Sequence, residues 1–310
     1  MKISVIIPVY NAEKYVSKAV ESALQFDEVQ EVILVEDRSP DNALLVCREL
    51  AGKYERVKLY QHPDQRNHGA GASRNLGMKK ASSDFIAFLD ADDYFLPNRF
   101  DAEKEIFKDP EIEGVFNAIG TEYLTEKGKE ECLSNINDQY LLTVNYQAEE
   151  KEVFRGLLGL TPRKFGSFFT LDALTVKRSS IESKNLRFNE SLRLHQDSDF
   201  IIKLAYHCHL KSGTIDQPVA IRGMHDDNRI TKIVKYSPQY NQRQFLFWNS
   251  LFQWSEAVRP DKDAARHIEL QKKAFELSEK KGLSKISGVF MAILKDPRIL
   301  KTKYRFTYTH

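Results

Sequence analysis

Three carboxylates stand within four positions at the end of an apolar run: Asp90, Asp92 and Asp93 in FIAFLDADDYF, Phe85 to Phe95. One acid suffices to cap a helix that Pro97 helps to start, and Asp93 or Asn98 could serve. Three so close repel one another unless a positive charge sits among them. Asp90 and Asp92, one residue apart, can point the same way off an extended strand end. A hard divalent cation suits them, because Mg²⁺ or Mn²⁺ takes one or two carboxylates and completes its shell with phosphate oxygens and water. The segment VEDRSPDN, Val35 to Asn42, repeats the arrangement with Glu36 and Asp37 after an apolar run. Asp37 could accept hydrogen bonds from a base or ribose. Ser39 or Asp41 could cap the following helix.

The segment NHGAGASRNLG carries glycines at 69 and 71, but Arg74 stands at the third glycine position of a dinucleotide fingerprint and the preceding strand ends near Tyr60. That fingerprint needs a strand running straight into the tight turn, so a dehydrogenase is excluded. Gly69 and Gly71 would instead allow close backbone approach to a ligand, and Arg74 would offer a fork to a phosphate or base edge. His207 and His209 in HCH point to different sides of a helix end and receive no role.

These residues need a scaffold, and the first hundred positions supply a repeating one. ISVIIPVY is a continuous apolar run of the kind buried on both faces of a parallel sheet. Asn11 is placed to cap a helix whose apolar positions Ala12, Tyr15, Val16, Ala19, Val20, Ala23 and Leu24 keep i, i+3, i+4 spacing. The strand EVILVED, a helix near 42–54, the strand VKLY, a helix near 72–81 and the strand DFIAFLD follow. This alternation predicts a doubly wound parallel sheet with right-handed crossovers, whose ligands bind beyond the carboxyl ends of the strands. VYN, VEDRS and DADD fall there. Further on, the pattern predicts a helix near 99–108, one strand over GVFNAIGTEYL, a charged segment to about 145, a helix from about Asp197, and mostly helix from Ser237.

Composition narrows the remaining classes. A net charge of +2 in 310 residues gives no case for nucleic-acid binding. The charge is uneven, since Lys281 to His310 holds seven Lys or Arg against Asp296 alone and carries +6. Cys47, Cys132 and Cys208 are odd in number and far apart, which fits reduced thiols in the cytoplasm. The amino-terminal apolar run is too short for a signal segment, and no apolar stretch reaches spanning length.

The ordered set SVIIPVYNAEKYV, VEDRSPDN, NHGAGASRNLGMKKASSDFIAFLDADD and FNESLRLHQDSDF resembles the family 2 glycosyltransferases. The resemblance is strong over residues 1–100 and fair over about 165–232. It implies the GT-A fold, a Rossmann-like α/β sheet, mostly parallel and flanked by helices, here with a helical C-terminal extension. By the same resemblance Pro8, Val9 and Tyr10 would line the base pocket and Asp37 would hold the base. Asp90 would face ribose or metal, and Asp92 would ligate the Mn²⁺ or Mg²⁺ that bridges the donor diphosphate. Asp197 would be the general base, its alternative being a helix N-cap. His225 would lie near the metal, its alternative being a solvated loop histidine. Asp93 is left as a helix-start residue. Gln196 stands where the family has Glu, and Arg38 where the turn after the second strand has Gly.

The resemblance implies an inverting, metal-dependent transfer from a nucleotide-diphospho-sugar, a UDP-sugar above all, to a hydroxyl of a glycan or lipid-linked acceptor in cell-surface polysaccharide synthesis. Residues 1–232 would form the transferase domain, with 1–100 as the donor half and 101–232 as the acceptor half, and 233–310 the extension. Two rival readings are a non-catalytic nucleotide-sugar or glycan-binding subunit of the same fold, motivated by Gln196 and Arg38, and a nucleotidyltransferase. The second needs a basic glycine-rich loop after the first strand, and VYNAEKYV is not one. The basic tail reads either as a solvated helix or as a segment lying on an anionic membrane surface.

Overall fold

The apolar run after Lys2 forms β1 (Ile3–Val9), buried along its whole length. It lies between two parallel neighbours, β2 (Val29–Glu36) and β4 (Phe85–Phe88). Its side chains alternate between two packed layers, as a strand buried on both faces requires. Ile3, Val5, Ile7 and Val9 join Val16, Ala19, Val20 and Ala23 of α1 (Val16–Leu24) in one core cluster. On the other face Ile6 packs against Gly77 of α3 (Ala70–Lys80), and a Cβ at Gly77 would overlap the isoleucine. The helix α2 (Ala43–Lys53) covers the α1 side, and β3 (Val57–Gln61) ends the sheet beyond β2.

The computed structural model describes residues 1–135, 141–226 and 237–302. They fall into two units, Met1–Asn228 and Arg229–His310. The boundary expected at 232 lies outside the described residues, as do residues 303–310 of the basic tail. In the first unit β5 (Tyr94–Phe95), β6 (Gly114–Phe116), β7 (Ala118–Tyr123), β8 (Leu141–Leu142), β9 (Leu174–Lys177), β10 (Leu210–Ser212) and β11 (Pro218–Met224) complete two sheets. The larger has the order β10-β6-β9-β4-β1-β2-β3, and β9 alone among its described strands runs antiparallel to its neighbours. The smaller has the order β5-β11-β7-β8. The helices α4 (Asp101–Ile106), α5 (Glu126–Asn135), α6 (Lys151–Leu157), α7 (Arg178–Ser183) and α8 (Gln196–His207) connect them.

Three local expectations are corrected. Asn11 does not cap α1. It takes a left-handed conformation with φ 55°, and the cap position falls four residues later at Tyr15, with α1 beginning at Val16. Pro97 and Asn98 lie in a turn before α4, which starts at Asp101 without a side-chain cap. GVFNAIGTEYL is two strands in two sheets, parted at Asn117. This buried side chain donates to Glu103 Oε1 at 3.0 Å and accepts from Thr214 N at 2.7 Å, so its amide is satisfied where the ladder stops.

The second unit contains α9 (Pro238–Val258), α10 (Lys262–Ser278), α11 (Gly282–Lys295) and a 3-10 turn over Pro297–Lys301. Ser237 caps α9 by accepting from Tyr240 N, and Asp261 caps α10 by accepting from Asp263 N and Ala264 N. Among the described residues no helix is long and apolar enough to cross a membrane.

One buried acid joins four consecutive stretches of the larger sheet. Glu31 of β2 accepts from Ser4 Oγ of β1 at 2.7 Å, from Lys58 Nζ of β3 at 2.6 Å, and from Ser82 N and Oγ before β4 at 2.7 and 2.8 Å. Burial works against its charge, and the bonds from Lys58, Ser4 and Ser82 outweigh burial, bringing the pKa from 4.5 down to about 2. A carboxyl with a depressed folded-state pKa stabilises the fold above its unfolded value and loses that contribution as pH falls through the folded one. Glu31→Gln should therefore cost about 2 to 3 kcal/mol near neutral pH. In denaturant titrations at a series of pH values, the gap to wild type should close as pH falls from 4.5 towards about 2.

Candidate active site

Three parallel strands deliver their carboxyl ends to one edge. Beyond β1, Tyr10 is exposed, whereas Pro8 and Val9 are buried within the strand; of the three residues expected to line a base pocket, only Tyr10 reaches the surface. The loops after β1 and β2 interlock, with Asn11 N donating to Ser39 Oγ at 3.2 Å and Glu13 N to Asp41 Oδ2 at 2.8 Å. Asp41 also accepts from Ala43 N at 3.2 Å, so it serves the start of α2 as well.

Asp37, immediately past β2, is buried and holds the turn that enters α3. Its carboxylate accepts from His68 N and Gly69 N, each at 2.7 Å, and from Asn67 Nδ2 at 2.9 Å. These fill three of a carboxylate's roughly four acceptor sites, and His62 Nε2 lies 3.6 Å from Oδ1. Gly69 sits at φ 89°, ψ 162°, a region open essentially to glycine alone. Arg38 adopts φ 61°. An arginine thus takes a positive φ, which glycine adopts at no steric cost.

The acids of DADD converge. Asp90, Asp92 and Asp93 each offer an oxygen within 4.8 Å of the others. Asp90 pairs with Arg74 of α3, and its backbone N–H donates to Asp172 Oδ1 at 2.8 Å. Asp92 Oδ2 lies 3.0 Å from His225 Nε2. His225 is not a solvated loop residue: it is buried directly after β11 and stacked on the Tyr15 ring at 4.6 Å. Asp93 is not a helix-start residue either. It is buried and accepts from Gly223 N of β11 at 2.9 Å, which ties the acidic turn to the strand that carries His225. Burial, then the charges of Asp172, Asp92 and Asp90, push the Asp93 carboxyl well above the usual range. Burial and the Asp90 charge raise Asp172 to about 7. Such a cluster needs a countercharge, and its all-oxygen donors with one imidazole fit a hard divalent cation.

Arg74 departs from its expected place. It is buried, its guanidinium lies 5.5 Å from the Phe188 ring, and Asp90, Asp197 and Asp172 all act on its charge. It braces Asp90 from behind and does not extend a fork into solvent. Gly71 departs too, because its bare α-carbon accommodates the Gln196 side chain, which a Cβ there would overlap. Asp197 follows Gln196 in the first turn of α8, while His195, at φ 60°, occupies the cap position. The N-cap alternative for Asp197 is thereby removed, and Asp197 and Asp90 act on one guanidinium.

Two residues of this arrangement escaped the sequence reading. Asp172 belongs to a 3-10 turn, Leu171–Ala173, directly before β9. Arg99 is fully buried between the Phe95 and Phe100 rings and donates to Asp172 O at 2.9 Å, Thr175 Oγ1 at 3.2 Å and Glu103 Oε1 at 2.5 Å. Its i, i+4 spacing to Glu103 was the available signal, but that spacing is the same for a solvated surface pair.

Residues 4–155 match the family model described as glycosyl transferase family 2. Over 203 residues, 64% of this chain and 20% of the relative, the sequence is 31% identical to the minor teichoic acid biosynthesis protein GgaB of Bacillus subtilis. The chain spans from 15% to 42% of the length of the curated relatives it matches. Among solved structures it resembles S. aureus TarS 1-349 in complex with UDP-GlcNAc, with TM-score 0.61, 18% identity, and 96% of this chain and 81% of that one covered. It also resembles the mannosyltransferase PcManGT of Pyrobaculum calidifontis in complex with GDP-Man and Mn²⁺, with TM-score 0.51, 15% identity, and 99% and 85% covered. These likenesses establish the GT-A fold with a helical C-terminal region.

Because Arg38 is exposed and left-handed, Arg38→Gly should relieve backbone strain without loss of a packed side chain. The strain of about 1 to 2 kcal/mol, less the glycine's extra unfolded-state entropy, predicts a gain of up to about 1 kcal/mol. Urea unfolding of the two proteins measures it, and a loss of stability would contradict the strain assigned to this turn.

Proposed function

We propose, from the match of residues 4–155 to glycosyl transferase family 2, that the chain moves a sugar from a UDP-sugar to a hydroxyl of a glycan or lipid-linked acceptor, with inversion at the anomeric carbon. The product would be a cell-surface polymer, as the name of the B. subtilis relative suggests, and the UDP-GlcNAc complex of the TarS neighbour supports the donor class. The observation that carries the reading is the convergence of Asp90, Asp92 and Asp93 at the strand ends with His225 beside Asp92, and Asp197 follows in the helix whose Gln196 lies over Gly71 of α3.

In this reading Asp92, with His225 beside it, holds Mn²⁺ or Mg²⁺, while Asp90 faces the same cation or the ribose. The PcManGT complex with Mn²⁺ supports the choice of ion. Bound there, the cation would offset the charge that grows on the departing diphosphate. The chain's own residues do the rest. Asp37 uses its remaining acceptor site for the base, next to Tyr10, and the turn over Asn67, His68 and Gly69 is held rigid by the same carboxylate. The Tyr15 ring fixes the plane of the His225 imidazole, which keeps Nε2 towards Asp92. Asp197 accepts the proton of the acceptor hydroxyl as that oxygen bonds to the anomeric carbon. No covalent intermediate on the protein is required.

Residues 1–232 would form the transferase domain, with donor binding in 1–100 and acceptor binding in 101–232. Cys47 and Cys208 are both unbridged and buried, in line with a cytoplasmic setting.

Asp197→Asn should lower transfer by about 10²- to 10⁴-fold while leaving metal-dependent UDP binding, read by calorimetry, at its wild-type strength. Asp92→Asn should weaken that binding itself. Unchanged turnover in Asp197→Asn would remove the general base from the scheme. A wild-type protein that binds donor but transfers nothing across a broad acceptor panel would instead be the non-catalytic subunit.

A further inference from the structure

The helix α11 is built inside out. Along its 14 residues the large apolar side chains Leu283, Ile286, Phe290 and Leu294 recur at steps of three and four, which places them on one face. They are 85%, 67%, 61% and 65% exposed. The side turned towards α10 includes Gly288, which faces Leu277, and the half-buried Ala292, with Met291 and Leu294 at the border of the groove. No residue of α11 is buried. A groove of about 1280 Å³ separates it from α9 and α10. A helix that spends its largest apolar residues outward is made to be covered from outside.

Charge decides by what. Lys280 and Lys281 precede the helix, Lys285 lies in its first turn, and Lys295, Arg298 and Lys301 follow its apolar face, against Asp296 as the one acid from 280 to 302. The exposed pair Lys295–Glu269 takes up little of that charge, and the buried Asp296 is shared between Arg298 and Arg266. A second copy of the chain packed face to face would bring two such lysine groups together, which like-charge repulsion opposes. A bilayer surface rich in anionic lipid meets both demands at once. Its headgroups pair with the lysines, and the boundary of its acyl layer takes up the leucine, isoleucine and phenylalanine side chains.

We infer that α11 is an interfacial helix that lies in the plane of an anionic lipid surface, with Leu283, Ile286, Phe290 and Leu294 inserted and the flanking lysines at headgroup level. The helix is far too short to span, and the lysine stems can run along the apolar layer while their ammonium groups stay in water. The inference is independent of the transfer reaction and stands whether or not the chain turns over a donor.

The test is sedimentation of the full chain with phosphatidylcholine vesicles, alone or containing about one third phosphatidylserine. Binding should appear only with the anionic vesicles and should weaken as salt is raised. The exposed-face double variant Ile286→Asp with Phe290→Asp, and the triple variant Lys280→Glu, Lys281→Glu, Lys285→Glu, should each lower partitioning by about tenfold or more. Both should keep the parent far-UV circular dichroism. Phe290→Trp reads the contact without removing the apolar face, and its emission should shift to the blue on adding anionic vesicles only. Absence of binding to anionic vesicles, equal binding to pure phosphatidylcholine, or a dimer in vesicle-free sedimentation equilibrium that the Asp double variant splits would each overturn the proposal.

Discussion

Like charges crowded at a sheet edge have to be held by something stiffer than their own repulsion. Here that support is a relay of buried polar contacts beginning at Arg99. Its guanidinium grips the turn at Asp172 and the strand behind it, Asp172 grips the backbone of Asp90, and Arg74 pairs with the Asp90 carboxylate. Truncating one partner of such a buried pair leaves a charge with nothing to balance it, a loss that usually exceeds the net worth of the intact pair. The acids are therefore held from below by groups buried away from solvent, while the Asp90 and Asp92 side chains stay 41% and 30% exposed.

Much of this was legible from local patterns. The continuous apolar runs marked β1, β2 and β4, helical spacing marked α1 to α3, and the placement of Asp37 and the DADD acids past strand ends followed from the doubly wound rule. Those are short-range signals, carried within a dozen residues. What escaped the reading was long-range. Asp172 and Arg99 meet across 73 positions. The spacing of NHGAGASR invited a ligand at Gly71 and Arg74, whereas Gln196 and Asp90 take those places. GVFNAIGTEYL reads as one strand because nothing in an apolar run announces a buried asparagine that redirects the chain to another sheet.

The departures at Gln196 and Arg38 have different weights. Arg38 holds a positive φ at an exposed turn, so its weight lies in backbone strain. Gln196 fills the space over a glycine of α3, and its neighbour Asp197 acts on a guanidinium of that same helix. The turn that Asp37 secures and the helix that bears Asp197 are thus mechanically joined through α3, although they lie far apart in sequence.

The strand order carries a consequence for the order of assembly. β1 to β4 and their helices are local repeats that can pair as they emerge, but β9 inserts between β4 and β6, and Asp172, Asp197 and His225 all come later in the chain. Contacts of long sequence separation form last because loop closure must precede them. During synthesis the Asp90 turn exists for some time without the residues that brace it. The acidic edge is then among the last parts of the first unit to acquire its final geometry, and a chain interrupted before residue 225 would lack the histidine that lies against Asp92.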